Sequence, residues 1–131
     1  MKPLSQYTEQ KVTDLHKKTG AFYAFSNAQY EEEAIKGVEY ARGSFGLVCP
    51  RDTFDLFKSE LQKIQAEGLA LFLAENSKKD IIMYELGNYE TQFSMDIDDA
   101  VIAVNGYGFT REDVQECWPE YWKMCIDNDW F

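Results

Sequence analysis

Residues 52–68 read DTFDLFKSELQKIQAEG and contain the most regular hydrophobic periodicity of this 131-residue chain. Apolar side chains recur there at three- and four-residue intervals: Phe54, Phe57, Leu61 and Ile64. This spacing places them on one face of an amphipathic α-helix, with polar residues opposite. Asp52 or Thr53 can cap the start of the helix, and Gly68 is expected to end it. It is the best-defined element that the sequence predicts.

Two more helices are predicted before this one. The first covers about residues 6–18, where apolar positions recur at roughly helical spacing and basic residues precede Gly20. Ser26, with Gln29 three residues later, forms a capping pattern. We expect this pattern to start a second helix that runs to Gly37.

Two extended segments alternate with these helices. The apolar run AFYAF, residues 21–25, follows a glycine and is too short for a core helix, so it predicts a strand. Residues 38–49 also read as extended, and their glycines suggest a turn or bulge within them. The firmer strand covers residues 45–49 and ends at Pro50.

The segment after the opening helix leaves two alternatives open. The run LALFL, residues 69–73, is apolar on all sides and is either a buried strand or more helix, with helix favoured by the residues that follow. Ser77 and Asp80 repeat the capping pattern and predict a helix through IIMYEL that closes at Gly87. Because IIMYEL is rich in β-branched and aromatic residues, it could also form a strand.

The last part of the chain predicts further helices. Asp96 or Asp98 can cap a helix through DAVIAV. Thr110, with Asp113 three residues on, opens a final helical segment. Pro119 cannot donate a backbone hydrogen bond and crowds the preceding turn, so it should divide this segment into two short helices.

The fold class that follows is α+β, with six or seven helices and a small two- or three-stranded sheet. We expect a mostly helical single domain that covers residues 1–131, since this length fits one domain and 45% of the residues are hydrophobic. No signal-like run follows the N-terminal lysine, and no stretch approaches the roughly 18 apolar residues of a membrane span. The expected location is the cytoplasm, without membrane contact.

The formal charge of −10 is concentrated at the C-terminal end of the sequence. Residues 80–131 hold twelve of the 23 acids but only two bases, Arg111 and Lys123, whereas the other residues carry equal numbers of acids and bases. Affinity for phosphate depends largely on lysine and arginine, so direct binding of nucleic acid is disfavoured. An acidic surface instead favours a partner protein with a basic surface.

The sequence contains no catalytic signature and no motif for a cofactor. Its one histidine, His16, lacks metal-ligand spacing, and no GxSxG or phosphate-binding glycine loop is present. Three cysteines without CxxC spacing, Cys49, Cys117 and Cys125, indicate free and mostly buried thiols. No cofactor and no catalytic residue are therefore expected.

Three aspartates, Asp96, Asp98 and Asp99, form a DxDD cluster that could hold magnesium or calcium. The cluster lacks the glycine and the distal glutamate of an EF-hand loop. Carboxylates at a helix N-terminus explain the same residues with fewer assumptions. A divalent-metal-dependent enzyme or sensor remains the alternative function.

The C-terminal sequence ECWPEYWKMCIDNDWF combines acids with large aromatic residues. The candidate partner-binding residues are Glu112, Glu116, Trp118, Glu120, Tyr121, Trp122, Asp127, Asp129 and Trp130. Tryptophan and tyrosine are frequent anchors at interfaces, but the same residues could simply pack the last helices onto the core. Aromatic residues at the chain end either dock back on the protein, bind a partner, or pair two copies into a homodimer.

Four segments carry a resemblance to a known family: GAFYAFSNAQYEEE (residues 20–33), GLVCP (46–50), FDLFKSELQKI (54–64) and DIDDAVIAVNGYGFTREDV (96–114). Together they resemble a family of small uncharacterised acidic proteins from bacteriophage and prophage genomes. The sequence from Cys117 onward is expected to lie outside that resemblance. The motifs carry no chemistry, so the resemblance implies no catalytic or binding residue.

The resemblance implies a setting in which small acidic proteins bind a host protein, including defence nucleases with basic grooves. The expected function is thus that of a non-enzymatic interaction module. Its partner would be a host nucleic-acid-binding or defence protein, which it would inhibit through an acidic, aromatic C-terminal surface.

Overall fold

A computed structural model describes residues 1–131, and helices account for most of them. The first half contains α1 (Ser5–Thr19), β1 (Phe22–Tyr23), α2 (Asn27–Glu33), β2 (Tyr40–Arg42), a 3₁₀ turn (Ser44–Gly46) and β3 (Leu47–Pro50). The second half contains α3 (Arg51–Glu75), α4 (Lys78–Asn88), α5 (Thr91–Ser94), α6 (Asp98–Asn105) and α7 (Arg111–Asn128). The predicted α+β class with a small sheet is confirmed. None of the helices is both long enough and apolar enough to cross a membrane.

The three strands form an antiparallel sheet in the order β1-β3-β2. β1 is shorter than the predicted run of residues 21–25, because the amide of Phe25 donates to Gln29 Oε1 (2.7 Å) instead of to a neighbouring strand. Gln29 also donates its own amide to Ser26 Oγ, which confirms the predicted cap of α2. That helix ends at Glu33, earlier than Gly37, because Ala34 already has extended backbone angles.

The contacts between residues divide the chain into two compact units. The N-terminal unit covers Lys2–Phe72, and its core contains Leu15, Ala21, Cys49 and Phe57. Three apolar positions of the opening amphipathic pattern, Phe54, Leu61 and Ile64, pack against this core. The C-terminal unit covers Leu73–Phe131 and includes Met1.

Gly68 does not end the opening helix, contrary to the prediction. α3 continues to Glu75, so the LALFL run is helical. Gly68 is buried, and a Cβ atom there would lie 2.4 Å from Thr8 Cγ2 of α1. The glycine therefore allows two helices of the N-terminal unit to approach closely, a tertiary requirement that local sequence does not reveal.

The C-terminal unit is built from α4, α6 and α7 around a mostly apolar interior, in which Thr91 is the one buried polar residue. Its buried side chains include Ile81, Ile82, Leu86, Ala100, Val104 and Val114. Ser77 accepts the amide of Asp80 (3.1 Å), which confirms the predicted helical start of α4. The one-turn helix α5 was not predicted, and it lies between two non-glycine residues with left-handed backbone angles, Glu90 and Met95.

The predicted division of the last helix at Pro119 is wrong, because α7 continues through it to Asn128. Proline removes one hydrogen bond to the carbonyl four residues earlier, that of Gln115. Both Gln115 and Pro119 are exposed, so water can hydrate the carbonyl that the proline leaves unbonded. All three cysteines are free thiols, and Cys49 and Cys125 are buried.

Candidate protein-interaction site

Charge divides unequally between the two units. The C-terminal unit carries thirteen acids and four bases, a net charge of −9, whereas the N-terminal unit carries ten acids and nine bases. Three of the four bases of the C-terminal unit form ion pairs: Lys78 with Asp113 (3.0 Å), Lys79 with Glu120 (2.7 Å) and Arg111 with Asp98 (2.6 Å). Most of its carboxylates therefore have no cation beside them.

The last helix, α7, starts at a complete capping box. The Asp113 amide donates to Thr110 Oγ1 (3.2 Å), and the Thr110 amide donates to Asp113 Oδ2 (2.8 Å). The bond from Thr110 and the neighbouring Lys78 ammonium hold the pKa of Asp113 below its ordinary value. Asp113 therefore has a local structural role, and the candidate partner-binding acids are the other acids of the helix.

Those acids form a stripe on the solvent side of α7, which we call the acidic face. It consists of Glu112, Glu116, Glu120 and Asp127, all exposed and spaced by four, four and seven residues. Residues at these spacings lie one above another on a helix. Lys123, also exposed, is the only base on the same side. Glu112, Glu116 and Asp127 form no ion pair, so the face keeps a strong negative charge.

The aromatic residues of α7 lie on its other side, where the helix packs on the unit. Trp118 stacks on Trp122 with ring centroids 5.8 Å apart, and both side chains are half-buried. Phe131, at the chain end, packs edge-on against Trp122 (5.3 Å) and against Phe93 of α5 (6.4 Å). The chain end thus docks back on its own unit, while Phe93 and Phe131 keep more than half of their surface exposed.

The acids and aromatics that alternate in the sequence are therefore not mixed on one surface of the helix. Glu116 and Trp118, or Glu120 and Trp122, are two residues apart, which turns them by about 200° around a helix of 3.6 residues per turn. Tyr121 is only 2% exposed and cannot be a surface anchor. Asp129 lies beyond the end of α7, where its left-handed backbone terminates the helix.

Gln92 of α5 joins the candidate residues together, although no sequence motif indicated it. Its Oε1 accepts a hydrogen bond from the Tyr121 hydroxyl, and its Nε2 donates to the Trp130 carbonyl (3.0 Å). The Trp130 amide also donates to the Cys125 carbonyl (3.0 Å). Burial raises the pKa of the Tyr121 phenol well above its ordinary value. The network fixes the backbone of Trp130, whose side chain is 44% exposed.

Comparison with protein families gives one result. The family of unknown function DUF7659 matches residues 4–124. The chain belongs to this family. The match includes residues 117–124, so the expectation that this stretch lies outside the family's sequence is wrong. No curated protein matches the chain, and no solved structure does.

In this member of DUF7659 the three aspartates of the DxDD cluster have separate local partners. Asp96 Oδ1 accepts the amide of Asp98 (2.9 Å), and the Asp98 carboxylate pairs with Arg111. Asp99 is exposed in the first turn of α6. No group of three or more histidine, cysteine or acidic side chains lies in an arrangement that could hold a metal ion. The predicted cap by Asp96 or Asp98 is wrong, since Ile97 is the N-cap of α6; the cluster is instead engaged in one hydrogen bond and one ion pair.

Proposed function

We propose that this chain is a non-enzymatic interaction module that binds a partner protein with a basic surface through its C-terminal unit. The observation that supports the proposal is the concentration of nearly all the net charge in that unit, with an acidic face along α7 in which three of the four carboxylates form no ion pair. Such a field attracts a basic partner and accelerates the encounter. It also repels nucleic acid, which is not proposed as a direct ligand.

The resemblance to bacteriophage and prophage proteins supplies the setting of the proposal. In that setting the partner is a host nucleic-acid-binding or defence protein whose groove is built for phosphates. Carboxylates spaced along a helix can occupy such a groove in place of the phosphates, and the partner is then inhibited by exclusion of its nucleic acid. The proposed location is the cytoplasm of the host cell.

Aromatic side chains contribute the apolar part of the proposed interface. Trp130 and Phe131 are each about half exposed, and Trp122, which stacks on Trp118, packs against Phe131. Because the Trp118 and Trp122 rings lie on the other side of α7 from the acidic face, the charges serve the encounter and its specificity, while the exposed rings of the chain end add contact area.

Affinity capture with two matched variants tests this proposal. One variant, Glu112→Gln/Glu116→Gln/Asp127→Asn, neutralises the acidic face without disturbing the Lys79–Glu120 pair. The control, Glu31→Gln/Glu32→Gln/Glu33→Gln, removes the same charge from exposed positions of α2 in the N-terminal unit. We expect a basic protein from a bacterial lysate to be captured at low ionic strength by the wild type and the control, and to be lost from the first variant. Equal capture by both variants, or no basic partner at all, contradicts the proposal.

The alternative, a divalent-metal-dependent enzyme or sensor, depends on Asp96, Asp98 and Asp99. Since Asp98 is paired with Arg111, a metal ion would have to displace that cation. A shift of the melting temperature in millimolar magnesium, manganese or calcium that disappears in Asp99→Asn would favour this alternative over the interaction module.

A further inference from the structure

A cavity of about 590 Å³ lies within the C-terminal unit, between the exposed side of α4 and the C-terminal end of α7. Its size is within the range of ligand-binding pockets. Asp80, Tyr84 and Gly87 contribute from α4, and Met124 and Trp130 contribute from α7 and the residues after it. None of these positions was identified as a pocket from the sequence, although three- and four-residue spacing places Asp80, Tyr84 and Gly87 on one helix face.

The apolar lining of this cavity is unusually rich in methionine. Three of the chain's four methionines line it: Met1, Met83 and Met124. Methionine side chains are flexible and polarizable, so they adapt to ligands of irregular shape. Two aromatic rings, those of Tyr84 and Trp130, are 40% and 44% exposed beside them. The cavity can therefore cover an aliphatic chain of varied length.

The charge around the cavity selects for a cation. Among the side chains that line the cavity, the Asp80 carboxylate is the only charged group. Met124 is four residues after Glu120 and three before Asp127, so the cavity borders the acidic face directly. Lys79, the nearest base in α4, is held by Glu120 (2.7 Å). Exposed aromatic faces also attract cationic groups.

The edge of the cavity at Trp130 is fixed before any ligand arrives. Hydrogen bonds from Gln92 and to Cys125 hold the Trp130 backbone, as described above. A side that is already ordered loses little conformational entropy on binding. The exposed ring is thus carried by an ordered backbone, and the stem or the charged head of a long cationic side chain can lie against it.

We propose that this cavity binds a lysine or arginine side chain, with adjoining aliphatic residues, from a basic amphipathic segment of a partner protein. A long methylene stem terminated by a cation matches the combination of methionine, aromatic and carboxylate groups. This inference rests on the proposed function, because it names the part of the acidic unit that receives the partner and the kind of segment that enters it.

Gly87 provides a variant that fills the cavity while the fold is retained. A Cβ atom at Gly87 would meet no other atom within 4 Å, so Gly87→Leu projects into open space. Gly106, which follows α6, is equally open and also has helical backbone angles, and it does not line the cavity. Gly106→Leu is therefore the matched control.

Asp80 has a control of the same kind. Asp80→Asn removes the carboxylate of the cavity, and Asp52→Asn removes another acid from the first turn of a helix in the N-terminal unit. Each change removes one negative charge from the first turn of a helix. Only the first should affect a cation in the cavity.

The test is a nuclear magnetic resonance titration of the full chain with a synthetic amphipathic peptide of lysine and leucine. The three tryptophan indole N–H signals report the place of binding, and we expect that of Trp130 to shift more than those of Trp118 and Trp122. Gly87→Leu and Asp80→Asn should weaken binding, the former by about tenfold or more, whereas their controls should stay within about twofold of the wild type. A matched peptide of glutamate and leucine should not bind.

The outcomes separate this inference from the function on which it rests. Salt-sensitive binding of the lysine peptide that leaves the Trp130 signal unmoved and survives Gly87→Leu would overturn the cavity and leave the interaction module standing. Equal binding of the glutamate peptide would overturn the preference for a cation. No binding of the lysine peptide would overturn the cavity proposal, whereas the interaction module is contradicted only if affinity capture also recovers no basic partner.

Discussion

Phe45 combines a large apolar side chain that is exposed with a backbone conformation that favours glycine. It is 90% exposed and has a φ of 57°, in the left-handed region that non-glycine residues rarely adopt. That conformation costs about 1–2 kcal/mol for a residue with a side chain, and glycine avoids the cost but loses more freedom on folding. We expect Phe45→Gly to raise the free energy of unfolding by about 0.5–1 kcal/mol in urea denaturation. Phe45→Ala, which keeps the strain, should change it little, and an equal gain from both would contradict the explanation.

The buried phenol of Tyr121 should make the stability of the protein depend on alkaline pH. Its pKa is about 10 in an unfolded chain, and burial raises it in the folded state. Below about pH 10 both states keep the proton, whereas above that pH only the unfolded state ionises, so stability should fall as pH rises. Tyr121→Phe should make this alkaline decline shallower, with Tyr89→Phe at an exposed position as the control. An unchanged slope in Tyr121→Phe would show that other groups cause the decline.

Single residues also show where sequence is a sufficient guide. The capping pairs Ser26–Gln29, Ser77–Asp80 and Thr110–Asp113 are all confirmed, because a cap depends only on residues three apart. Gln92 could not be found in the same way. Its partners, Tyr121 and Trp130, are 29 and 38 residues distant, and no local pattern specifies such a contact.

At the scale of the element, the direction of the stability change at Gly68 of α3 distinguishes tertiary packing from helix propensity. Alanine normally stabilises a helix relative to glycine by about 0.5–1 kcal/mol. Gly68→Ala should instead destabilise the protein by about 1–3 kcal/mol, because its Cβ would lie 2.4 Å from Thr8 Cγ2. Thr8→Ser removes that methyl group and should recover much of the loss in the double variant. Gly87→Ala, in open space, should stabilise, and a gain at both glycines would contradict the packing explanation.

Helix α7 illustrates both the success and the failure of reading elements from sequence. Its start, its acids and its aromatic residues were all recognised, but its continuity through Pro119 was not, because exposure of the unbonded carbonyl is a tertiary property. Acids and aromatics that alternate along the chain turned out to lie on different sides of the helix. Because an α-helix has 3.6 residues per turn, residues that are two apart in the sequence lie on nearly opposite sides of the helix.

For the whole molecule, the segregation of charge is the property that sequence anticipated best. The acidic segment at residues 80–131 corresponds closely to the C-terminal unit, since that unit begins at Leu73 and carries a net charge of −9. Composition could not show that Lys78, Lys79 and Arg111 pair with particular carboxylates and leave three acids of the acidic face, Glu112, Glu116 and Asp127, without an ion pair. The cavity beside that face could not be predicted from the sequence either, because residues from two helices and both chain ends contribute to it.

The most direct test of an acidic interaction module is the salt dependence of its affinity for the basic protein captured as described above. Attraction between exposed charges is screened within about 10 Å at 0.1 M salt, so the dissociation constant should rise by about tenfold or more between low and moderately high salt. Neutralising Glu112, Glu116 and Asp127 should flatten this dependence, whereas neutralising Glu31, Glu32 and Glu33 should leave it unchanged. A dissociation constant that is independent of salt, or equally affected by both sets of substitutions, would contradict the account.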